Sequence, residues 1–140
     1  SSEAAIRRTA RIGTGWIGGS EPPEVIAPVI TRIREAVADA GRTIDDDHYG
    51  AGLPFRFGRA SDPVLERPFA AYRKRTGRDP LAYFAVGDGD DILARLSAYV
   101  AAGVSKFVMR PVAADETDAL AQTKALIDRV LPATTRLATA

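Results

Sequence analysis

The sequence has no cysteine and only one histidine. Without cysteine there can be no disulfides, thiolate metal sites or cysteine nucleophiles, which is compatible with a reducing compartment. We therefore expect a cytoplasmic protein. A lone histidine cannot form a histidine pair on a metal ion, and the sequence predicts no metal site.

Long apolar runs and an excess of charge of one sign are also missing. No run is long enough to span a bilayer, and the first twelve residues lack the apolar core and cleavage site of a signal peptide. A net charge of +1 creates no field that would favour nucleic acid or an anionic membrane surface. We therefore expect neither a membrane nor a nucleic-acid partner.

The common catalytic signatures are absent as well. The sequence contains no P-loop, nucleophile elbow, HExxH motif or complete GxGxxG fingerprint, so its residues alone identify no catalytic group. What is present is typical of one globular domain: 140 residues, 46% of them apolar and 26% charged. A complete TIM barrel needs about 250 residues. If the chain belongs to a TIM barrel, it can therefore form only part of that barrel.

Apolar residues recur at spacings of three and four in four segments, which predicts four helices. The clearest runs from Pro22 to Ala40, with Ser20 as the N-cap and Gly41 as the residue that ends it. The others are Ser2 to Ile12, Asp90 to Ala102, and Glu116 to Leu131. The last has Asp115 as its predicted N-cap, and its predicted buried face consists of Leu120, Leu126, Ile127 and Val130.

Three short segments between the helices have the composition of strands: Thr14 to Ile17, His48 to Phe57, and Lys106 to Met109. Short strands alternating with helices predict an α/β fold with a parallel sheet, either part of a barrel or a doubly wound sheet. A right-handed crossover predicts that the strand at Phe107 lies parallel to the one over His48 to Phe57. Residues 58–88 interrupt the alternation and predict an insertion with a short helix from Pro63 to Arg75.

Two features are candidates for binding an anion. Gly18, Gly19 and Ser20 follow a strand and precede a helix, where backbone amides and the helix dipole favour phosphate; a simple connecting turn is an equal alternative. Arg110 follows a buried strand at its carboxyl end, where parallel α/β proteins bind ligands. The alternative for Arg110 is a salt bridge to Asp115 or Glu116.

Two charged segments are less specific. The basic residues Arg73 to Arg75 predict a solvated helix face, since no aromatic residues alternate with them. Asp45, Asp46, Asp47 and His48 resemble a metal cluster. Consecutive residues of an extended chain point to alternate sides, however, so we expect a solvated loop there.

Several motifs occur in an order known from one family. The segment from Ser2 to Ile17 resembles the SEAAxRRAARxGDGW segment of luciferase-like flavin- or F420-dependent oxidoreductases, except at Thr14, where aspartate is usual. Further segments agree in order: Ala38 to Arg42, Val86 to Asp88, Tyr99 to Gly103, and Val130 to Pro132. The insertion after Phe57 departs from the family pattern.

This resemblance implies a partial (β/α)8 TIM barrel, about strands six to eight with their helices. It also implies a parent oxidoreductase or monooxygenase that uses F420 or FMN on a small-molecule substrate. In the family, the later strands help to bind the phosphate-bearing tail of the cofactor, which agrees with the rim formed by Gly18, Gly19, Ser20 and Arg110. No position matches a catalytic residue of the family. The Ala- and Arg-rich composition is typical of high-GC genomes, which favours F420.

A partial barrel leaves sheet edges and apolar faces without partners. We therefore expect an oligomer or a complementary N-terminal barrel segment. The alternative function is a non-catalytic assembly module that pairs with itself or with a complementary barrel subunit.

Overall fold

The computed structural model describes the backbone of residues 2–139 and the side chains of residues 2–135. The described residues form five α-helices and four strands. The helices are α1 (Glu3–Ile12), α2 (Pro23–Asp39), α3 (Glu66–Thr76), α4 (Gly89–Ala101) and α5 (Glu116–Arg129). The strands are β1 (Trp16–Gly18), β2 (Tyr49–Phe57), β3 (Ala85–Gly87) and β4 (Lys106–Pro111). Short 3₁₀ helices cover Asp46–His48, Pro63–Leu65, Pro80–Ala82 and Leu131–Thr139.

The strands form one four-stranded sheet in which β2 is central. Its first residues pair in parallel with β1, Tyr49 opposite Trp16, and its last residues pair in parallel with β3, Phe55 opposite Ala85. Pro54, which has no N–H to donate, lies between the residues that pair with β1 and those that pair with β3. Its missing N–H therefore removes no hydrogen bond from either pairing.

Strand β4 also pairs with β2. The amide of Ser105 donates to the Tyr49 carbonyl at 2.7 Å, and the amide of Val112 donates to the Phe55 carbonyl at 2.8 Å. The residue numbers of the hydrogen-bonded partners increase in the same direction along both strands, as they do only in a parallel pair. This confirms the α/β class and the parallel pairing predicted from the right-handed crossover.

The chain divides into two compact units. The first comprises Ser1–Gly52 and Ala98–Val108. Its core is formed by Ile26, Ile30, Ile33 and Val37 from one face of α2, together with Ile6, Tyr49, Tyr99 and Val104. These α2 residues recur at spacings of three and four, as the sequence predicts for a buried helix face.

Arg42 fastens α1 within this first unit. Its guanidinium donates to the carbonyl of Ala10 and, at 2.8 Å, to that of Gly13, at the end of α1 where helical carbonyls lack partners. Gly41, at φ +64, turns the chain after α2 and so brings Arg42 to this position. The arginine of the Ala38 to Arg42 motif is therefore structural.

The second unit comprises Leu53–Ser97 and Met109–Ala140. It contains the predicted insertion, in which Pro63–Leu65 and α3 confirm the short helix expected from Pro63 to Arg75. Phe69, Tyr72, Tyr83 and Phe84 pack there as an aromatic cluster, and each ring is at most 6% exposed. The expectation of one domain over residues 1–140 stays a prediction.

Helix α5 differs from its sequence prediction. Asp115 is the N-cap, as expected, and its carboxylate accepts from the Asp118 amide at 2.8 Å. Leu120 and Ile127, however, are 66% and 52% exposed, whereas Gln122 is buried. The predicted apolar face is therefore wrong at Leu120 and Ile127, whereas Val130 is buried as predicted. Gln122 accepts a hydrogen bond from the Phe57 amide and donates one to the Phe57 carbonyl, and these bonds fix which side of α5 faces β2.

No helix of the described chain has both the length and the apolar character needed to cross a membrane.

Candidate anion-binding site

The end of β1 and the turn after it hold three of the four predicted site residues. Gly18 is buried, and a Cβ atom there would lie 2.9 Å from Cδ1 of Ile26 and 3.0 Å from the Trp16 ring. Gly19 is exposed, and a Cβ atom there would lie 2.9 Å from Oε2 of Glu21. Packing therefore accounts for Gly18, while Gly19 leaves backbone accessible beside a carboxylate.

The start of α2 differs from the prediction that Ser20 caps it. The N-cap is Pro22, without a side-chain cap hydrogen bond, and the amides of Val25 and Ile26 donate to the Pro22 carbonyl. Pro22 and Pro23 have no N–H. Few first-turn amides are therefore left for an anion, and any backbone donors must come from the glycine turn itself.

The turn is held from the side by Tyr99. This residue is fully buried at 0% exposure, and its hydroxyl donates to the backbone carbonyl of Glu21 at 2.9 Å. The hydrogen bond fixes the backbone that follows Ser20. The Glu21 carboxylate lies close to Gly19, and its negative charge disfavours an anion at this point.

Arg110 lies in the second unit, next to the last residue of β4, as predicted. Its Nη2 donates to the Tyr83 hydroxyl at 2.8 Å. Among the described residues it forms no ion pair with a carboxylate, and Asp115 caps α5 instead. The salt bridge to Asp115 or Glu116, weighed as the alternative, is therefore not formed.

A second arginine in the same unit has the opposite environment. Arg56, 8% exposed, lies in the carboxyl-terminal part of β2. Its Nε donates to Asp62 and its Nη1 donates to both Asp118 and the Val112 carbonyl, each at 2.8 Å. Two carboxylates neutralise this guanidinium, so it is engaged within the fold.

The ionisation of this trio reflects its hydrogen bonds. The Val64 amide and then Arg56 lower the pKa of Asp62, and the Ala114 amide and then Arg56 lower the pKa of Asp118. Burial disfavours the charged form of Arg56, but the hydrogen bonds to Asp118 and Asp62 outweigh it and raise its pKa. All three side chains are therefore charged at neutral pH.

Sequence analysis missed this trio, although it contained a signal. Arg56 stands in the otherwise apolar run Leu53 to Phe57, and an arginine inside an apolar strand requires charged or polar partners. The sequence offered no comparable signal for Tyr83, which lies 27 residues from Arg110. Only the fold of the insertion brings its hydroxyl to the guanidinium.

The acidic segment before β2 also differs from its prediction. Asp46–His48 form a 3₁₀ helix and not an extended loop, so ligand atoms of Asp45, Asp47 and His48 lie within 4.8 Å of one another. Nδ1 of His48 is 2.7 Å from Asp47, and the Lys106 ammonium is 3.6 Å from the same carboxylate. Although partial burial opposes this, the charges of His48 and Lys106 lower the pKa of Asp47. Lys106, a cation of the chain itself, thus already pairs with this cluster.

Comparisons with known proteins place the fold. Neither a protein-family model nor a curated protein sequence matches the chain. Among solved structures, an F420-dependent secondary alcohol dehydrogenase bound to an F420-acetone adduct is 13% identical, with a TM-score of 0.64 over 91% of this chain and 45% of that one.

Two further structures give similar values. The coenzyme F420-dependent tetrahydromethanopterin reductase from Methanopyrus kandleri is 16% identical, with a TM-score of 0.61 over 91% of this chain and 47% of that one. The long-chain alkane monooxygenase LadA is 17% identical, with a TM-score of 0.62 over 97% of this chain and 39% of that one. The chain thus spans less than half the length of each. It has an α/β fold with a parallel sheet that is similar to part of the fold of each of these proteins.

Proposed function

We propose that the chain is the C-terminal portion of a luciferase-like F420- or FMN-dependent oxidoreductase or monooxygenase and that it contributes the rim that binds the phosphate-bearing tail of the cofactor. One observation carries the proposal. Arg110 presents an exposed guanidinium at the carboxyl end of a parallel strand, and it has no carboxylate partner among the described residues. Ligands of parallel α/β proteins bind at that end.

The chemistry of Arg110 fits a phosphate. A guanidinium carries five N–H donors in a planar fork, of which the hydrogen bond to Tyr83 uses one. Bidentate pairing with a phosphate or carboxylate is the strongest use of such a fork. The bound flavin or deazaflavin would supply the redox chemistry, while this chain would hold its tail.

Gly18, Gly19 and Ser20 are the second part of the proposed rim, and their fit is weaker. Gly19 allows close approach to the backbone, but the Glu21 carboxylate lies next to it. We therefore assign most of the tail affinity to Arg110. The glycine turn would add backbone N–H donors if the Glu21 side chain changed rotamer and moved its carboxylate away from Gly19. The atom near Gly19 is the end of a flexible side chain, so such a change is feasible.

Replacing Glu21 with glutamine tests the glycine turn. If the tail binds there, removing a like charge should strengthen FMN binding about 2- to 5-fold, the effect of a screened charge pair near a protein surface. Fluorescence titration gives the affinity. Glu35→Gln in α2, which removes an exposed carboxylate remote in sequence from the turn, is the matched control. Equal affinities of the Glu21→Gln variant and the parent chain would remove the turn from the rim.

We further propose that a complementary barrel segment or a second copy of the chain covers this one. Exposed apolar residues support this. In the first unit, Ile17 of β1 and Val108 of β4 are 65% and 54% exposed. In the second unit, Leu120 and Ile127 of α5 and Leu131 after it are more than half exposed. Strands of a complete parallel barrel are covered on both faces. These positions would be buried once the rest of a barrel is in place.

The same exposed residues favour the second candidate function, a non-catalytic assembly module. Titration of the chain with FMN, riboflavin and F420 separates the two. A tail-binding rim should bind FMN at least about tenfold more tightly than riboflavin, which lacks the phosphate, because a charged hydrogen bond is worth more than about 1.4 kcal/mol. Equal affinity for FMN and riboflavin would contradict the rim. Oligomerisation without any cofactor binding would favour the assembly module.

A further inference from the structure

The predicted insertion reaches the rim through one side chain. Tyr83, which follows the 3₁₀ helix Pro80–Ala82, accepts a hydrogen bond from Nη2 of Arg110 at 2.8 Å. We propose that Tyr83 is a positioning residue for binding of the anionic cofactor tail and that it acts by orienting the Arg110 guanidinium. This inference rests on the function proposed above, and it gives the insertion a role at that site.

The ring of Tyr83 is firmly held. It is 3% exposed and stacks on Tyr72 with ring centroids 5.3 Å apart and planes inclined by 13°. Phe84 meets it edge to face at 5.4 Å. Tyr72, from α3, is itself 2% exposed. Because these rings pack on one another, the Tyr83 hydroxyl has a fixed location from which to hold a longer side chain.

The partner of this hydroxyl is flexible by nature. An exposed arginine samples many rotamers, and ordering it on ligand binding costs conformational entropy. A hydrogen bond to a fixed hydroxyl restricts those rotamers before the ligand arrives. Arg110 is thereby preorganised, and the affinity for an anion rises without any contact between Tyr83 and the ligand.

The neutral character of the phenol is the second part of the argument. Arg56 is held by the carboxylates of Asp62 and Asp118, which cancel its charge. Arg110 is held by an uncharged oxygen, and its charge remains available. A carboxylate would orient the guanidinium equally well but would compete with the incoming phosphate. A buried tyrosine hydroxyl orients the side chain and leaves its electrostatic attraction intact.

The test compares FMN affinities of the parent chain with those of Tyr83→Phe, Arg110→Ala and the double variant, measured by fluorescence titration. Phenylalanine keeps the stacked ring and removes only the hydroxyl. Tyr83→Phe should weaken FMN binding about 3- to 10-fold, because Arg110 loses its preorganisation and must be ordered on binding, and it should leave riboflavin binding unchanged. In the Arg110→Ala background the same change should have no effect, because the two residues act as one unit.

Tyr72→Phe is the matched control, since it removes a hydroxyl from the neighbouring ring of the same stack. Its FMN affinity should equal that of the parent chain. If Tyr83→Phe also binds FMN normally while Arg110→Ala binds weakly, the positioning role is overturned and the proposed rim stands. Weakening by Tyr83→Phe in the Arg110→Ala background would make Tyr83 merely structural. Normal FMN binding by Arg110→Ala would overturn this inference and remove Arg110 from the proposed rim, which would then rest on the glycine turn alone.

A ligand-free measurement gives an independent answer. Nitrogen-15 NMR relaxation of the Arg110 Nε–H group reports the motion of its side chain directly. Tyr83→Phe should increase that motion to the level of an unrestrained surface arginine such as Arg59, and Tyr72→Phe should not. Equal Arg110 mobility in the parent chain and in Tyr83→Phe would overturn the inference.

Discussion

Replacing Arg56 with alanine should lower the free energy of unfolding by about 1.5–3 kcal/mol, the usual worth of hydrogen bonds between charged groups, because the two carboxylates left behind are about a quarter exposed to solvent. Arg56 is 8% exposed, and it joins the carboxyl-terminal part of β2 to Asp62, Asp118 and the Val112 carbonyl. Without it, two carboxylates in the partly buried interior lose their counter-charge. Urea titration followed by circular dichroism measures the change.

Two variants bracket the expected result. Arg59→Ala, an exposed arginine three residues later, should change stability by no more than about 0.5 kcal/mol. Combining Arg56→Met with Asp62→Asn and Asp118→Asn should restore part of the loss, because no unpaired charge remains buried. A loss below about 1 kcal/mol in Arg56→Ala would show that solvent already screens the trio.

The pH dependence of the same variant has a definite sign. The pKa values of Asp62 and Asp118 are lowered in the folded chain, chiefly by the Val64 and Ala114 amides and then by Arg56. Their contribution to stability is therefore present above the usual aspartate value of about 3.9 and is lost as pH falls through the lowered values. Unfolding of the parent chain should become markedly easier below about pH 4, and Arg56→Ala should flatten this dependence.

Replacing Arg110 with alanine should weaken binding of FMN or F420 by about 1.5–3 kcal/mol, or roughly 10- to 150-fold in dissociation constant. The loss follows from removing a guanidinium that no carboxylate of the described chain neutralises. Riboflavin affinity should not change, because riboflavin has no phosphate. Turnover of the complete enzyme at saturating cofactor should change much less than affinity.

Arg78→Ala provides the control for this measurement, since it removes an equal charge from an exposed position of the same unit. Its FMN affinity should match that of the parent chain. Arg110→Lys, which keeps the charge but not the planar fork, should fall between the parent chain and Arg110→Ala. Unchanged affinity in Arg110→Ala would leave the glycine turn as the only part of the rim still to be tested.

The sequence predicts the helices well where local signals agree. Gly41 and Gly103 adopt positive φ angles where α2 and α4 were expected to end, and Asp115 caps α5 as predicted. The short strand β3 was not predicted, because three residues carry no measurable periodicity. The buried side of α5 was predicted correctly at Val130 but wrongly at Leu120 and Ile127, which indicate an apolar face that the described chain does not cover.

The site was predictable only in part, for a related reason. The position of Arg110 follows from the strand that precedes it, which is local information. Its partner Tyr83 is 27 residues away along the chain, and Asp118 is 62 residues from Arg56. Only Asp62, six residues from Arg56, is close in sequence. The convergence of Asp45, Asp47 and His48 was missed because a 3₁₀ turn, unlike an extended chain, aligns residues three apart.

The side-chain amide of Gln122 takes the place of a neighbouring strand beyond the end of β4, since its Oε1 accepts from the Phe57 amide at 2.7 Å and its Nε2 reaches the Phe57 carbonyl at 3.4 Å. Asp118, one turn earlier on the same face, binds Arg56. Each residue inserted into a helix rotates all later side chains by about 100°. Related sequences should therefore not accept insertions or deletions between Asp118 and Gln122, where a change of one residue would separate α5 from β2.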